Sequence, residues 1–374
     1  MATKKTVKKK KTSAAAARRA KKKQKRIILF MVEILVLAVL VAILYTVLKT
    51  GNIQKITVNE DNITTELNEN VVNNEALKGY RNIALFGVDS RDGSLGKGTR
   101  SDTIIIASIN EDTGDIKLCS VYRDTYMNLS NDSYNKCNSA YAKGGPEQAI
   151  IMLNMNLDLN ITDYVTVGFE GLTQTIDALG GVYIDVTEAE IPHLNNYQIS
   201  MVGTTTDGKT FTATEGKDYT AVTTPGYQKL NGLQATAYCR IRYIGDDFER
   251  ARRQRDVLSA VMEQAKKASA SDLNKILNKV LPNVATSLDV DEMVGMLSNV
   301  AKYNIVGKDG FPFESNRATG KVGGKGSCVI PNNLAENVTL LHEFLFNESG
   351  YTVSKEVQSY SDKIVSDTGY SGAN

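Results

Sequence analysis

The chain has 374 residues and a formal net charge of +2 at pH 7, a length that allows one large domain or two small ones with appendages. Residues 1–26 contain 13 of the 44 lysines and arginines and no acid, which leaves 31 basic against 42 acidic residues, a net charge of −11, for the rest. An acidic body disfavours a nucleic-acid-binding protein, and the presence of only two histidines, His193 and His342, disfavours a histidine-based triad or zinc site.

Residues 27–48 ("IILFMVEILVLAVLVAILYTVL") form an apolar run of 22 residues, about 33 Å long as a helix and sufficient to cross a bilayer core of about 30 Å. The run is too long for the apolar part of a signal peptide, and no clean small-residue cleavage pattern follows it. The positive charges before the run far outnumber those soon after it, which predicts a cytoplasmic N-terminus. We therefore expect residues 1–26 to be a basic cytoplasmic tail, residues 27–48 an uncleaved transmembrane helix, and the body to lie outside the cell membrane.

Residues 49–78 are polar and rich in asparagine, which suits a linker or an accessory segment. The regular domain begins at "RNIALFGVDSRD", where a short apolar run of strand type ends in an Asp-rich loop. The run "TIIIASIN", the turn "EDTGD" and the run "IKLCSVY" then predict a hairpin.

Helical and strand patterns alternate through the rest of the chain. A helix over residues 146–156, the strand "YVTVGF", the helix "EGLTQTIDAL" and the strand "VYIDV" precede a polar stretch, residues 191–228, that we expect to be a surface excursion. A long helix over residues 248–268, two amphipathic helices, the strand "SCVIP" and the helix "NNLAENVTLLHEFLF" follow. This alternation predicts a layered α/β/α domain with a central mixed β-sheet over residues 79–348, and a Ser-rich C-terminal tail over residues 349–374.

The segment "RIRYIGDDFERARRQR", which begins at Arg240, contains six arginines, three acids and no lysine. Arg240 and Arg242 are two apart on an expected strand, so their side chains leave the same face. On the following helix Arg250, Arg253 and Gln254 share the apolar face, and buried arginines with too few acids nearby need an anionic ligand. Arginine rather than lysine fits a phosphate or pyrophosphate, because the planar guanidinium donates two parallel hydrogen bonds. Ordinary salt bridges at a solvated helix start are the alternative.

Three Asp–Arg pairs come earlier in the chain: Asp89 with Arg91, Asp102 with Arg100, and Asp124 with Arg123. Each pair lies at a strand end or in the adjoining loop, where open α/β sheets build their sites. Carboxylates among arginines favour a Mg²⁺ ion that bridges phosphate oxygens, because Mg²⁺ takes one or two carboxylates and leaves other positions to the substrate. A turn or a salt bridge explains any single pair equally well.

Seven motifs in order resemble the LytR-CpsA-Psr family of cell-wall glycopolymer ligases over residues 81–346: "NIALFGVDSR", "RSDTIIIASIN", "SVYRDTY", "NKCNSAYAKGG", "DALGGVYIDV", "YQKLNGLQATAYCRIRY" and "DDFERARRQRDVL". The basic tail and the single anchor also fit that family. The resemblance implies an extracytoplasmic phosphotransferase anchored in the cell membrane. It would move a glycopolymer, such as a teichoic acid or capsule chain, from a polyprenyl pyrophosphate carrier to a peptidoglycan sugar hydroxyl through a phosphodiester bond.

The resemblance also implies roles for individual residues. Asp89 and Asp102 correspond to ligands of Mg²⁺ or Mn²⁺, and Asp247 corresponds to a candidate base. The residues around the pyrophosphate would be Arg100, Arg123, Arg240, Arg242, Arg250 and Gln254, with Arg123 and Arg250 also catalytic, and with Arg91, Arg253 and Asn138 at matching motif positions. Glu249 stands where the family motif usually has glycine.

Two other functions remain open on the sequence alone. A pyrophosphatase that acts on the same lipid would use the same site with water as the acceptor. An anchored regulatory module that binds anionic polymer would keep the arginines but has no need for Asp89, Asp102 and Asp247 together. The sequence also leaves open whether the four cysteines form disulfides.

Overall fold

The computed structural model describes residue 56 and residues 58–89, 93–205, 207–268 and 280–371, all within the unit Asn52–Asn374. The predicted cytoplasmic tail and transmembrane helix, residues 1–48, lie outside the described residues. Within the part that is described, no helix is long and apolar enough to cross a membrane.

The secondary-structure elements of the described residues are numbered in chain order. The strands are β1 (Tyr80–Val88), β2 (Ser101–Asn110), β3 (Asp115–Val121), β4 (Tyr126–Asn128), β5 (Tyr134–Lys136), β6 (Asp163–Gly168), β7 (Val182–Val186), β8 (Thr204–Thr205), β9 (Phe211–Thr212), β10 (Gly226–Leu230), β11 (Val284–Thr286), β12 (Asn304–Phe311), β13 (Arg317–Lys321) and β14 (Ser327–Pro331). The helices are α1 (Glu60–Thr65), α2 (Glu69–Val72), α3 (Asn138–Leu157), α4 (Phe169–Ala178), α5 (Glu190–Val202), α6 (Gly232–Arg240), α7 (Asp246–Ala265), α8 (Val290–Ser298), α9 (Leu334–Phe346) and α10 (Lys355–Thr368).

A six-stranded mixed sheet in the order β11-β6-β1-β2-β3-β12 forms the centre of the domain. Strands β1, β2 and β3 are antiparallel neighbours, and the predicted hairpin is confirmed by the pairing of Ile109 with Ile116. Strand β6 runs parallel to β1 and β12 runs parallel to β3. The prediction of a layered α/β domain with a mixed central sheet is therefore confirmed.

Helices cover both faces of the sheet because side chains on each strand alternate between the faces. On β2, Ile104 and Ile106 join a core with residues of α3, α9 and α10. Ile105 and Ala107 point to the other face and belong to a core against which Leu258 of α7 and Met296 of α8 pack. Helix α7, which carries most of the arginine cluster, therefore lies directly on the sheet.

A second core lies beside the sheet, between the β7–β10 pair and helices α4 to α7. The expected surface excursion over residues 191–228 is wrong for its first part, since residues 190–202 form helix α5. Its Leu194 and Gln198 are fully buried and lie one turn apart. Only a narrow face of this helix is buried and many of the other residues are polar, so the sequence shows no clear helical pattern. Of the two amphipathic helices expected before β12, the second is α8. The end of the first is strand β11, and residues 269–279 lie outside the described residues.

The C-terminal segment is a helix and not the expected Ser-rich tail. Helix α10 buries Val357, Ser361 and Ile364 at helical spacing, and Ser354 caps it by accepting from the Val357 amide. The accessory segment before β1 meets this end of the chain, because the Asn68 amide donates to the Asp158 carboxylate at 2.6 Å and to Ser354 Oγ at 3.2 Å.

Candidate active site

Two adjoining cavities lie where β1 and β3 end and β2 begins. The first, about 110 Å³ in volume, is lined by Asp89, Asp102, Thr103, Phe169, Tyr197, Cys239, Arg240, Arg242, Arg250 and Gln254. The second, about 10 Å³, shares Asp102, Thr103, Arg250 and Gln254 with the first and is also lined by Ser120, Tyr122, Arg123 and Asp247. Because four residues line both, we treat the two cavities as one site and call it the arginine site.

Strand pairing explains why residues far apart in sequence meet here. Val88 at the end of β1 pairs with Ser101 at the start of β2, so Asp89 and Asp102 follow at the same edge of the sheet. Strand β3 is antiparallel to β2, which brings Arg123, two residues beyond its end, to that edge as well. The structure therefore places Asp89, Asp102 and Arg123 at strand ends, as the sequence predicts.

Arg123 is the centre of a network of carboxylates. Its Nη1 donates to Asp102 Oδ1 at 2.7 Å, and its Nε donates to Asp247 Oδ2 at 3.2 Å. The other oxygen of Asp102 accepts from Arg242 Nη2 at 3.3 Å. Burial alone would lower the pKa of Arg123, but the charges of Asp102 and Asp247 outweigh burial and raise it. Arg123 therefore stays cationic at any physiological pH.

Arg250 is only 4% exposed and poorly satisfied. Its Nη1 lies 2.9 Å from Asp247 Oδ1, in an ion pair that lacks hydrogen-bond alignment, and its Nε and Nη1 have no hydrogen-bond partner among the described residues. Burial lowers the pKa of Arg250 to about 10. A buried guanidinium with free donors beside a cavity is costly unless an anion completes it.

Arg240 reaches the site from a helix, so the expected strand at "CRIRY" is wrong. Asn231 and Gln234 form a capping box that starts α6, and Arg240 is the last residue of this helix. Its guanidinium carbon lies 4.5 Å from the ring centroid of Phe169 and 5.5 Å from that of Tyr197. Burial lowers the pKa of Arg240, and it forms no ion pair with a described residue. The faces of two aromatic rings thus hold the Arg240 cation in place, and its charge is available to pair with an anionic ligand.

The two rings that hold Arg240 are site residues that the sequence analysis missed. Phe169 directly follows β6, at the same sheet edge as Asp89, and that position was the available signal. Tyr197 lies on α5, within the stretch that was expected to be a surface excursion, so no sequence signal marked it.

Arg253 does not reach the arginine site, although we expected it at the pyrophosphate. Its Nε donates to Glu190 Oε1 at 2.7 Å, and its other nitrogens donate to the carbonyl oxygens of Ile241 and Ile244. Burial opposes ionisation of Glu190, but hydrogen bonds from Thr187 and Arg253 outweigh burial and lower its pKa. The acid that the sequence analysis did not find near Arg253 is supplied from 63 residues away.

The remaining expected residues lie in three different settings. Arg100 is exposed immediately before β2 and forms no ion pair with a described residue. Asn138 is buried at the start of α3, where its backbone amide donates to the Arg123 carbonyl at 3.1 Å. Arg91 lies outside the described residues.

The two carboxylates of the site suit a magnesium ion only if a phosphate provides further ligands to the metal. Asp89 and Asp102 line the same cavity, and Asp89 has no ion-pair partner in the described ranges. Those ranges contain no group of three or more acids, histidines or cysteines that could hold a metal alone. Mg²⁺ is commonly bound by one or two carboxylates plus substrate phosphates, so these two residues fit a metal that binds together with a pyrophosphate.

By its fold and its site, the protein is an α/β protein with a mixed central sheet and a cluster of arginines and carboxylates at the strand ends. Residues 42–329 match the model of the LytR_cpsA_psr family, and the chain belongs to this family.

Among its relatives is the polyisoprenyl-teichoic acid–peptidoglycan teichoic acid transferase TagU of Oceanobacillus iheyensis. It is 36% identical over 231 residues, which are 59% of this chain and 62% of the relative. The chain thus spans less than two thirds of the length of that protein.

Solved structures of TagT share the fold. The structure of TagT bound to LI-WTA has a TM-score of 0.53 at 18% identity and covers 81% of this chain and 97% of that one. The structure of YwtF (TagT) with bound octaprenyl pyrophosphate lipid has a TM-score of 0.50 at 17% identity, with the same coverage.

Proposed function

We propose that the protein is a membrane-anchored phosphotransferase, and that it transfers a glycopolymer from a polyprenyl pyrophosphate carrier to a peptidoglycan sugar hydroxyl. The observation that carries the proposal is the buried Arg250, whose Nε and Nη1 have no hydrogen-bond partner in the described residues beside a cavity with three further arginines. Such a site fits a pyrophosphate, the group that joins lipid to glycan in this class of substrate. Family membership and the name of the TagU relative support the same substrate class.

The arginines would divide the charge of the pyrophosphate among them. Arg250 Nε has no hydrogen-bond partner and Arg240 forms no ion pair among the described residues, so these two arginines are the first candidates for the phosphate oxygens. Arg123 and Arg242 already share the Asp102 carboxylate, and a phosphate would replace part of these contacts. Gln254 lines both cavities and adds a neutral amide donor. Arg100, which is exposed and lines neither cavity, would approach only a part of the substrate that extends out of the site.

In the proposed reaction the acceptor hydroxyl oxygen forms a bond to the phosphorus that carries the glycan. The bond from this phosphorus to the bridging oxygen breaks, and polyprenyl phosphate leaves with the electron pair. Asp247, which lies between Arg123 and Arg250, would accept the hydroxyl proton. Fixed guanidiniums stabilise the charge that develops on both phosphates. A Mg²⁺ or Mn²⁺ ion held by Asp89 and Asp102 would supply additional positive charge at the phosphate oxygens.

Anchoring belongs to the proposal as well. The apolar run at residues 27–48 would hold the domain at the membrane that contains the lipid carrier, with the basic tail in the cytoplasm and the domain at the cell wall. A short tether keeps a membrane-bound substrate at high effective concentration.

The test is turnover by the full-length protein in detergent. A synthetic polyprenyl-pyrophosphate-linked sugar, Mg²⁺ and a peptidoglycan oligomer are supplied, and released lipid phosphate and labelled glycan on the oligomer are followed together. We expect both products, and loss of both with EDTA or in Asp102→Ala. The matched control is Asp112→Ala, an exposed acid in the turn between β2 and β3. Lipid phosphate without glycan transfer would indicate a pyrophosphatase, and tight lipid binding without either product would indicate a binding module.

A further inference from the structure

A second cavity, about 400 Å³ in volume, lies on the opposite side of helix α7 from the arginine site. On α7 it is lined by Arg252, Asp256 and Ser259 among others, which lie about 180° to 240° around the helix from Arg250 at about 100° per residue. Its volume is in the range of small-molecule binding sites, roughly 300–1,000 Å³. We call it the tyrosine cavity because three tyrosines, Tyr183, Tyr227 and Tyr238, contribute to its wall.

Two of these tyrosines form an exposed aromatic platform. The rings of Tyr183 on β7 and Tyr227 on β10 stack with centroids 5.5 Å apart and an interplanar angle of 24°. They remain 44% and 74% exposed, since they occupy the solvent face of the strand pair while Val182 and Ile184 fill the core face. Nothing in the described part of the chain covers this platform. An exposed, prearranged pair of rings is typical of a ligand contact surface.

The third tyrosine, Tyr238, is a largely buried residue of the cavity wall. Tyr238 is only 2% exposed, and its hydroxyl has no hydrogen-bond partner among the described residues. The charges nearest to this hydroxyl include those of Glu190, Arg252 and Asp256, all of which line the same cavity. A hydroxyl that lacks a protein partner and belongs to a residue of the cavity wall is available to a ligand or to water.

The charge of the tyrosine cavity differs from that of the arginine site. Four acids line it, Asp185, Glu190, Asp256 and Glu263, against two bases, Arg252 and Lys267. Glu190 and Asp256 are held by arginine or lysine partners, whereas Asp185 has no ion pair within the described ranges. A polyphosphate chain is therefore unfavourable here. A neutral ligand with hydroxyl donors and an apolar face fits both the carboxylates and the rings.

We propose that the tyrosine cavity is a saccharide subsite that binds a neutral pyranose unit. The C–H face of the sugar would lie on the Tyr183–Tyr227 platform, and its hydroxyls would donate to Asp185 and pair with the Tyr238 hydroxyl. The source of the sugar rests on the proposed function: it is either the glycan of the lipid-linked donor or the glycan strand of the acceptor. Helix α7, about 10–12 Å in diameter, lies between the subsite and the arginine site, so a chain of sugars that contacts both has to pass around this helix.

The buried Arg253–Glu190 ion pair connects the two sites. Glu190 lines the tyrosine cavity, while Arg253 lies beside Arg250 and Gln254 on α7. A sugar bound against Glu190 on α5 is therefore one ion pair away from α7, the helix that carries Arg250 and Gln254.

Saturation-transfer NMR on the full-length protein in detergent tests the subsite without any turnover. The probes are the tetramer of N-acetylglucosamine, which is neutral, and a poly(glycerol phosphate), which is anionic. We expect the wild type to bind the tetramer and Tyr227→Ala to bind it at least about tenfold more weakly, a loss of ~1.4 kcal/mol. Tyr370→Ala is the matched control, since this tyrosine is 38% exposed and does not line the cavity. The subsite is wrong if the wild type does not bind the tetramer, or if Tyr227→Ala binds it normally.

Two further experiments test the subsite independently of the proposed function and identify the source of the sugar. Arg250→Met should lower turnover by roughly 10²–10³-fold and leave tetramer binding unchanged, so a failed transfer assay leaves the subsite testable. Competition with the tetramer by the lipid-linked donor would assign the subsite to the donor glycan. Competition by a peptidoglycan fragment alone would assign it to the acceptor. Binding of poly(glycerol phosphate) that Tyr227→Ala weakens would overturn the assignment to a neutral sugar.

Discussion

Arg253 Nε lies 2.7 Å from Glu190 Oε1, and the two side chains are only 2% and 3% exposed. Arg250, one turn earlier on α7, is also buried, but two of its nitrogens have no hydrogen-bond partner among the described residues. Neighbouring arginines of one helix thus differ in role: Arg253 belongs to the scaffold, and Arg250 belongs to the site. The difference leads to opposite expectations for stability and activity.

Loss of Glu190 should destabilise the protein strongly. Glu190→Ala leaves the Arg253 guanidinium buried without its counter-charge, a change that typically costs about 3–5 kcal/mol. Urea unfolding of the full-length protein followed by circular dichroism measures this. The exposed Glu188→Ala, two residues away, should stay within about 0.5 kcal/mol of wild type. A loss for Glu190→Ala no larger than that of the control would contradict a scaffold role for the pair.

The same pair should make stability depend on acid pH. The ordinary pKa of a glutamate is 4.5, and in the folded protein the pKa of Glu190 is lower. Between the folded and the unfolded pKa, the unfolded state therefore binds more protons, and the free energy of unfolding rises with pH. The contribution of Glu190 is therefore complete above about pH 4.5 and is lost as pH falls through the folded pKa. Unfolding free energies of wild type and Glu190→Gln, measured from pH 7 down to pH 3, should converge at the acid end. A constant difference across that range would argue against the ion pair as its source.

Replacement of Arg250 should affect turnover and not stability. Arg250→Met removes a buried charge with two nitrogens that lack hydrogen-bond partners among the described residues, and Asp247 keeps Arg123 as a partner, so the free energy of unfolding should stay the same or increase. Turnover of the lipid-linked donor should fall by roughly 10²–10³-fold, as for other fixed donors that stabilise a transition state. Parallel turnover and urea measurements separate the two effects. Loss of stability with proportionate loss of turnover would place Arg250 in the scaffold with Arg253.

Asp89 should control the requirement for a divalent ion. Its carboxylate has no ion-pair partner in the described residues and lines the cavity beside Asp102, so Asp89→Asn should raise the Mg²⁺ concentration for half-maximal turnover about tenfold, or ~1.4 kcal/mol. Mg²⁺ titrations of wild type, Asp89→Asn and Asp112→Asn measure the shift. Identical titration curves for all three would remove Asp89 from the metal site.

The four cysteines should behave as buried free thiols. All four are unpaired and buried, and burial raises the pKa of Cys239 to about 12 and raises the pKa of Cys119 and Cys137 as well. Because the thiolate is the reactive form, an aromatic disulfide reagent at pH 8 should label no cysteine in the native protein and four in urea. Fewer than four thiols in urea, without prior reduction, would show that disulfides form.

The central sheet could be predicted from the sequence because its strands are local patterns. Two apolar runs separated by a five-residue turn predict β2 and β3, and the loop after β1 marks the edge at which Asp89 lies. The structure of residues 191–228 is harder to predict from the sequence. Helix α5 has only a few buried side chains, such as Leu194, and many of its other residues are polar. Tertiary contacts determine that helix more than its composition does.

The site residues could be predicted only in part, for a related reason. The sequence identifies the arginines as a group, but it does not show which of them has a buried counter-charge. The partner of Arg253 is 63 residues away, and the rings that hold Arg240 come from α4 and α5. Arg240 and Arg242 line the same cavity, as predicted. The predicted reason, a shared face of one strand, is wrong, because Arg240 ends helix α6 and Arg242 lies in the loop that follows.

The hydrogen bonds of Asn68 join parts of the chain that are up to 286 residues apart. The accessory segment before β1 contacts Asp158 at the end of α3 and Ser354 at the start of α10, so its docking surface is incomplete until the last helix is present. Contacts of such long range slow folding, because a large loop must close before they form. During synthesis the first segment of the domain must therefore wait for the last one, and a chain that stops before α10 leaves its own beginning undocked.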